Sequence, residues 1–138
     1  MKKVSTMLYI ATDLERIGDH AENISEYDIR TPRSRRLRLP PDAIEELQLL
    51  GGEVIEVLTL MVQVFYTPTD ELIKLIYERE QLIDEMCKEY TENHIARIKA
   101  GGSDPRGGVA FINMISDLER CSDHANNIAF YFLGNKEN

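Results

Sequence analysis

Tryptophan is absent, and cysteine occurs only twice in 138 residues. Cys87 and Cys121 lack the close pairing of a metal finger, and two thiols cannot build a disulfide framework. Both fall on helical patterns, where cysteine acts as a small buried hydrophobe. Positive charge is in deficit: 16 basic residues face 24 acidic ones, a net charge of −8. That balance argues against nucleic acid as a partner, because such binding is driven by neutralising phosphates. No apolar run approaches the roughly 18 residues a membrane-spanning helix needs. The most apolar stretch, Val54 to Tyr66, is short and contains Glu56 and Gln63. The basic start, Met1-Lys2-Lys3, meets Asp13 and Glu15 too soon for a secretory signal. The chain therefore reads as cytosolic, or as the cytosolic part of something larger. It shows no hydrolase triad, no phosphate-cradling glycine loop and no nucleophile beside a base. The glycine pairs at 101–102 and 107–108 read as a flexible connection around a helix start.

What is present is helical. The length predicts one domain. Met7, Ile10, Leu14, Ile17, Ala21 and Ile24 recur at three- and four-residue steps and predict a helix from Lys3 to Tyr27. A second, opened by Pro40-Pro41-Asp42, runs to about Tyr66, with Ile44, Leu47, Val54, Leu58, Met61 and Phe65 on one seam. Gly51 lies in that seam, where it would let a neighbouring helix approach closely. Thr67-Pro68-Thr69-Asp70 breaks the pattern, with Thr67 as the expected cap of the third helix. The third helix, to about Ala100, has the stripe Leu72, Leu75, Ile76, Leu82, Ile83, Met86 and Tyr90. His94 aligns with that stripe as a half-buried histidine. The fourth runs to Leu133, with Gly134 as its expected C-terminal cap. Four amphipathic helices with short connections predict an all-α antiparallel bundle, with the third and fourth adjacent.

The first and fourth helices share a motif that packing does not demand. Residues 13–27 read DLERIGDHAENISEY and residues 117–131 read DLERCSDHANNIAFY, identical at ten of fifteen positions. An apolar stripe alone does not dictate identical polar residues, so a duplicated functional unit is the better explanation. Within it, Glu15 and Asp19 stand one turn apart on one face, as do Glu119 and Asp123. The third helix repeats the spacing in Glu80 and Asp84. Like charges at this spacing repel, and a cation between them reverses the sign of that interaction. Two such helices side by side present four carboxylates to one point, a shell suited to magnesium, manganese, iron or zinc. A single such pair is usually a solvated surface. His20 and His124 fall on another face, where a hydrogen bond or an interface contact is the more ordinary role. Arg16 and Arg120 read either as carboxylate-orienting residues or as plain surface salt bridges.

DLERIGDHAENI at 13–24 resembles the signature of the PhoU family of phosphate-uptake regulators. ENHIARIKAGG at 92–102 and GVAFINMISDLERCSDHANNIA at 108–129 are similar to the PhoU-like cytosolic tail of bacterial sodium/phosphate cotransporters. The resemblance implies a helical fold of three-helix repeats whose Glu/Asp-x-x-x-Asp motifs hold multinuclear metal clusters. It assigns Glu80, Asp84, Glu119, Asp123, Glu15 and Asp19 as metal ligands. On this reading residues 1–28 are the last helix of a truncated first repeat, 29–41 a linker and 42–133 a complete second repeat. Glu15 and Asp19 then form a half-site unless another chain completes it. The implied partners are a phosphate transporter or its membrane domain, with a sensor kinase and self-association as further expectations.

Two other readings of the residues stand beside this one. A carboxylate-bridged di-iron enzyme would use Glu-x-x-His, three residues apart, whereas Glu15 and His20 are five apart, as are Glu119 and His124. A metal-free interaction bundle would keep its acidic faces for solubility. Arg30, Arg33, Arg35, Arg36 and Arg38 leave 11 basic against 24 acidic residues elsewhere. Such a stretch suits either anionic headgroups at the inner face of the membrane or the acidic helices of the chain itself.

Overall fold

A computed structural model describes residues 2–27 and 39–136. Four helices account for nearly all of them: α1 (Lys2–Ser25), α2 (Pro41–Tyr66), α3 (Asp70–Lys99) and α4 (Pro105–Lys136). No strand occurs among the described residues. The five arginines between Arg30 and Arg38 lie outside them.

The helix ends follow local chemistry. Pro41 opens α2, where a missing N–H costs nothing. The cap of α3 is Thr69 rather than Thr67: its hydroxyl accepts from the Leu72 N–H at 3.2 Å. Thr69 itself is extended, with φ −120° and ψ 151°, and the helix starts at Asp70. Acidic Asp70 and Glu71 in the first turn and basic Arg97 and Lys99 in the last both complement the helix dipole. Gly101 closes α3 with φ +76°, a left-handed turn that suits glycine. Gly102 N–H reaches Arg97 C=O and Gly101 N–H reaches Ile98 C=O, which satisfies two terminal carbonyls. Gly134 does not end α4; the helix continues through it to Lys136.

The seam of α2 is Ala43, Leu47, Leu50, Val54, Val57, Met61 and Val64, alternating steps of four and three. That of α3 is Ile73, Ile76, Glu80, Ile83, Cys87 and His94. Several of the expected stripe positions lie a residue out of phase with these seams. The periodicity favours Leu58, Phe65, Leu75 and Leu82, whereas the seam uses their neighbours Val57, Val64, Ile76 and Ile83 and includes a carboxylate and a histidine. Leu75, Leu82 and Phe65 are exposed.

α4 packs against all three other helices, and α2 packs against α3. Among the described residues α1 packs against no helix but α4. Consequently Met7 and Leu14, expected in the first stripe, are exposed, while Ile10 is buried. An apolar groove of about 750 Å³ separates α1 from α2 over α4, lined by Ile24, Leu47, Gly51, Val54, Leu58 and Leu118 among others. Gly51 thus faces open space, not a closely packed helix. Of the described helices, α2 alone is long and apolar enough to cross a membrane. Its seam instead packs in the bundle, and Glu53 and Glu56 pair with Arg79 at 3.0 and 2.8 Å.

His94 is fully buried, not half-buried, because it sits on the seam where α3 meets the start of α4. Its ring stacks on Phe111 with centroids 4.2 Å apart. Arg97 Nε donates to His94 Nδ1 at 3.1 Å, and Ser103 Oγ lies 3.3 Å from Nε2. Arg97 also pairs with Asp42 at 3.2 Å and with Glu46, tying α3 to α2. Burial and the neighbouring guanidinium push the His94 pKa down, which keeps the ring neutral. Gly108 lets α4 pass this corner, since a Cβ there would lie 2.6 Å from Ile98 Cδ1. Phe111→Ala removes a fully buried ring and unstacks His94. It should cost about 3–5 kcal/mol in urea unfolding.

Candidate metal centre

The repeated motif divides its polar residues between opposite faces of a helix. At about 100° per residue, Asp117 and His124 fall within about 20° of each other. Glu119 and Asp123 lie about 200° and 240° around from Asp117. α4 therefore aims one pair at α1 and the other at α3.

On the α3 side, Glu80, Asp84 and Asp123 each bring a carboxylate oxygen within 4.8 Å of the others. Glu80 is buried and occupies a seam position, whereas Asp84 and Asp123 are half-buried. Gln81 Nε2 donates to Glu80 at 3.1 Å. Burial, hydrogen bonding with Asp123 and Asp84, and repulsion from both charges push the Glu80 pKa up to about 8. At neutral pH Glu80 thus keeps its proton, hydrogen-bonded to Asp123 and Asp84. Glu119 stands on the same side, its pKa raised by burial and by the charges of Asp84 and Asp123. Its carboxylate accepts from the Cys87 thiol, and burial with that neighbouring charge pushes the thiol far up. Cys121 is raised to about 11, mainly by burial, so both thiols stay protonated. A cleft of about 400 Å³ continues from Cys87 and Glu119 between α3 and α4.

The donor set fits a hard or borderline cation. All donors are oxygen, and their spacing is close to what metal–oxygen bonds of about 2.0–2.6 Å require. Glu80, Asp84, Glu119 and Asp123 come together; Glu15 and Asp19 do not join them. Both are exposed on α1, and no described residue completes a cluster with them. Arg16 and Arg120 are exposed and form no ion pair among the described residues.

On the α1 side the motif makes a reciprocal contact. His20 Nδ1 lies 2.8 Å from Asp117, and His124 Nδ1 lies 2.7 Å from Asp13. The two helices are antiparallel, so each copy of the motif grips the other across a pseudo-twofold axis. The imidazole rings stack there with centroids 5.8 Å apart. The histidines thus make the interface contact expected of them, whereas the role of Asp13 and Asp117 is new from the structure. The seven-residue Asp–His spacing, present in both copies, is the sequence pattern that marks it.

The PhoU domain family matches residues 1–27 and 47–131, most of the chain. The chain belongs to the PhoU domain family. A relative from Thermotoga maritima, named phosphate-specific transport system accessory protein PhoU homolog 1, is 28% identical over 128 residues. That alignment covers 93% of this chain and 54% of the relative, so the chain spans about half its length. No solved structure matches the chain. The PhoU match breaks off between the two copies of the motif, over a segment that includes Arg30–Arg38, and resumes within α2.

The raised Glu80 pKa sets a pH dependence for the metal-free chain. The folded state keeps the proton up to about pH 8, whereas an unfolded glutamate loses it near 4.3. Stability should therefore fall as pH rises from about 5 to about 8, by at most about 1.4 kcal/mol per unit. Urea titrations across that range check this. Glu80→Gln should flatten the profile, and an unchanged slope would show that another group carries it.

Proposed function

We propose that this chain is a metal-binding regulatory domain of phosphate uptake. It acts by contact with a phosphate transporter, or as the cytosolic domain of a sodium/phosphate cotransporter. The observation that supports this is the convergence of Glu80, Asp84 and Asp123 in a chain of the PhoU domain family. The transport role rests on the name of the Thermotoga maritima relative. The ion is iron, zinc, manganese or magnesium, and with Glu119 beside the cluster a multinuclear site is within reach. Bound there, it would displace the Glu80 proton and cross-link α3 to α4. On this reading the domain regulates and does not catalyse, with His20 and His124 on the α1 side of α4 and Glu80, Asp84 and Asp123 on the α3 side. Glu15 and Asp19 form a weaker half-site unless another chain completes it.

Elemental analysis of protein purified without chelator tests this reading. Asp84→Ala with Asp123→Ala should abolish metal retention at Glu80 and leave the helical circular dichroism intact. Equal metal content in wild type and variant would remove the site, and no metal in either would favour the bare interaction bundle.

The proposed location is the cytoplasm at the inner face of the membrane, with Arg30, Arg33, Arg35, Arg36 and Arg38 against anionic lipid, at about 1 kcal/mol per basic residue. The chain should sediment with anionic but not neutral vesicles, less so at higher salt. Replacing the five arginines with glutamine should abolish this. Equal recovery of wild type and variant in the supernatant would leave the arginines an intramolecular role.

A further inference from the structure

We propose that His94 is an acid-sensitive latch: its neutral ring holds the turn between α3 and α4 closed, and its protonation releases that corner of the bundle. The hydrogen bonds fix the state of the ring. A guanidinium only donates, so the 3.1 Å contact from Arg97 Nε makes His94 Nδ1 an acceptor and leaves the ring proton on Nε2. Nε2 then donates to Ser103 Oγ at 3.3 Å, within the turn itself. A second proton has to enter at Nδ1, where it meets the Arg97 N–H donor to donor. The closed latch and the second proton therefore exclude each other.

The neighbours do not relieve that conflict. On α2 the charged groups that act on the ring are Glu46 and Asp42, and both are already paired with Arg97. α4 contributes the Phe111 ring, 4.2 Å away, and the backbone at Gly108, where a Cβ would lie 3.7 Å from His94 Nε2. An aromatic face attracts cations, and Arg97 already lies 5.4 Å over this one. Burial is nevertheless the largest influence on the ring, and with the Arg97 charge it pushes the pKa down. The same residues close the turn. The Arg97 carbonyl accepts from Gly102 N–H at 2.8 Å, so the residue that grips the ring also ends α3. A cleft of about 400 Å³ lined by Leu39, Pro40 and residues 101–104 opens at this turn and gives water a path to the ring once Ser103 moves aside. Packing alone would be served by a leucine or a phenylalanine. A histidine whose acceptor nitrogen faces a guanidinium gives the corner a pH limit. An opened corner titrates like an exposed histidine, near about 6.5, whereas the closed one refuses the proton. Below that pH the opening constant therefore rises by about tenfold per pH unit.

The test follows amide hydrogen exchange in the 138-residue chain from about pH 7.5 down to about pH 5, across the ordinary histidine range. The amides of Gly101, Gly102 and Gly108 report on the corner, and those of Thr67 and Ile73 report on the α2–α3 turn at the other end of α3. After correction for the intrinsic exchange rate, protection of the three glycines should fall about tenfold per pH unit below about pH 6.5. Thr67 and Ile73 should show no such fall. His94→Gln keeps a carbonyl acceptor for Arg97 and takes up no proton, so it should abolish the pH dependence. Should that variant fail to fold, nitrogen-15 NMR of the imidazole in the unmodified chain decides. Nδ1 should be unprotonated and Nε2 protonated at neutral pH, and the ring should titrate only as the glycines lose protection. Titration of His94 with the glycines still protected, an equal loss at the α2–α3 turn, or the same pH slope in folded His94→Gln would overturn the proposal.

Discussion

Everything in this fold depends on α4 being buried on several sides at once. A helix in that position cannot be amphipathic in the ordinary sense, and its buried residues run in adjacent pairs: Ala110 and Phe111, Met114 and Ile115, Cys121 and Ser122, Ile128 and Ala129. Such a helix has little solvent-facing surface for polar residues. Those it carries between Asp117 and His124 must therefore find partners in neighbouring helices. Asp117 and His124 find them on α1. Glu119 and Asp123 face α3, where like charges accumulate instead of being cancelled.

That accumulation follows from the register of α3. Glu80 falls on a heptad seam between Ile76 and Ile83, so packing the apolar neighbours forces the carboxylate inward. Burying an unpaired carboxylate is costly, and the group responds by keeping its proton. Asp84, one turn on, and Asp123, across the interface, hydrogen-bond with the protonated Glu80. The core of the bundle thus holds the cluster in place, and a dication is the charge that would let all three carboxylates ionise together.

Much of this was legible in the sequence. Helix number and type, the adjacency of α3 and α4 and the face shared by Glu80 and Asp84 followed from periodicity alone. Identical polar residues in the two copies of the motif marked them as more than packing elements. The phase of the seams was harder to read. Ala43, Cys87 and Glu80 are weaker indicators than Leu58 or Leu82, and only tertiary packing decides which row turns inward. The reciprocal Asp–His contact was hidden for a different reason. It depends on α1 and α4 crossing antiparallel at the centre of the motif, and no local pattern specifies that crossing. The open position of α1, with Met7 and Leu14 exposed, likewise reflects which helices are present to cover it.

The differences between the two copies say as much as the identities. Asp13, Asp19, His20 and Glu15 match their counterparts, because the contact across the pseudo-twofold axis and the carboxylate face are common to both. Gly18 and Ser25 of α1 and Glu26 just after it are exposed, and α4 has Ser122, Ala129 and Phe130 in their places. Ser122 and Ala129 are buried, and Phe130 packs edge-on against Tyr77 of α3. Serine and glutamate of the first copy thus give way to alanine and phenylalanine where α4 meets its neighbours, whereas the Gly18 position becomes a buried serine whose hydroxyl has no partner among the described residues. Yet Glu15 and Asp19 persist on that open face, where solvent alone would accept many other residues. Both keep the spacing of one helical turn on a face that no described helix covers, beside exposed Met7 and Leu14.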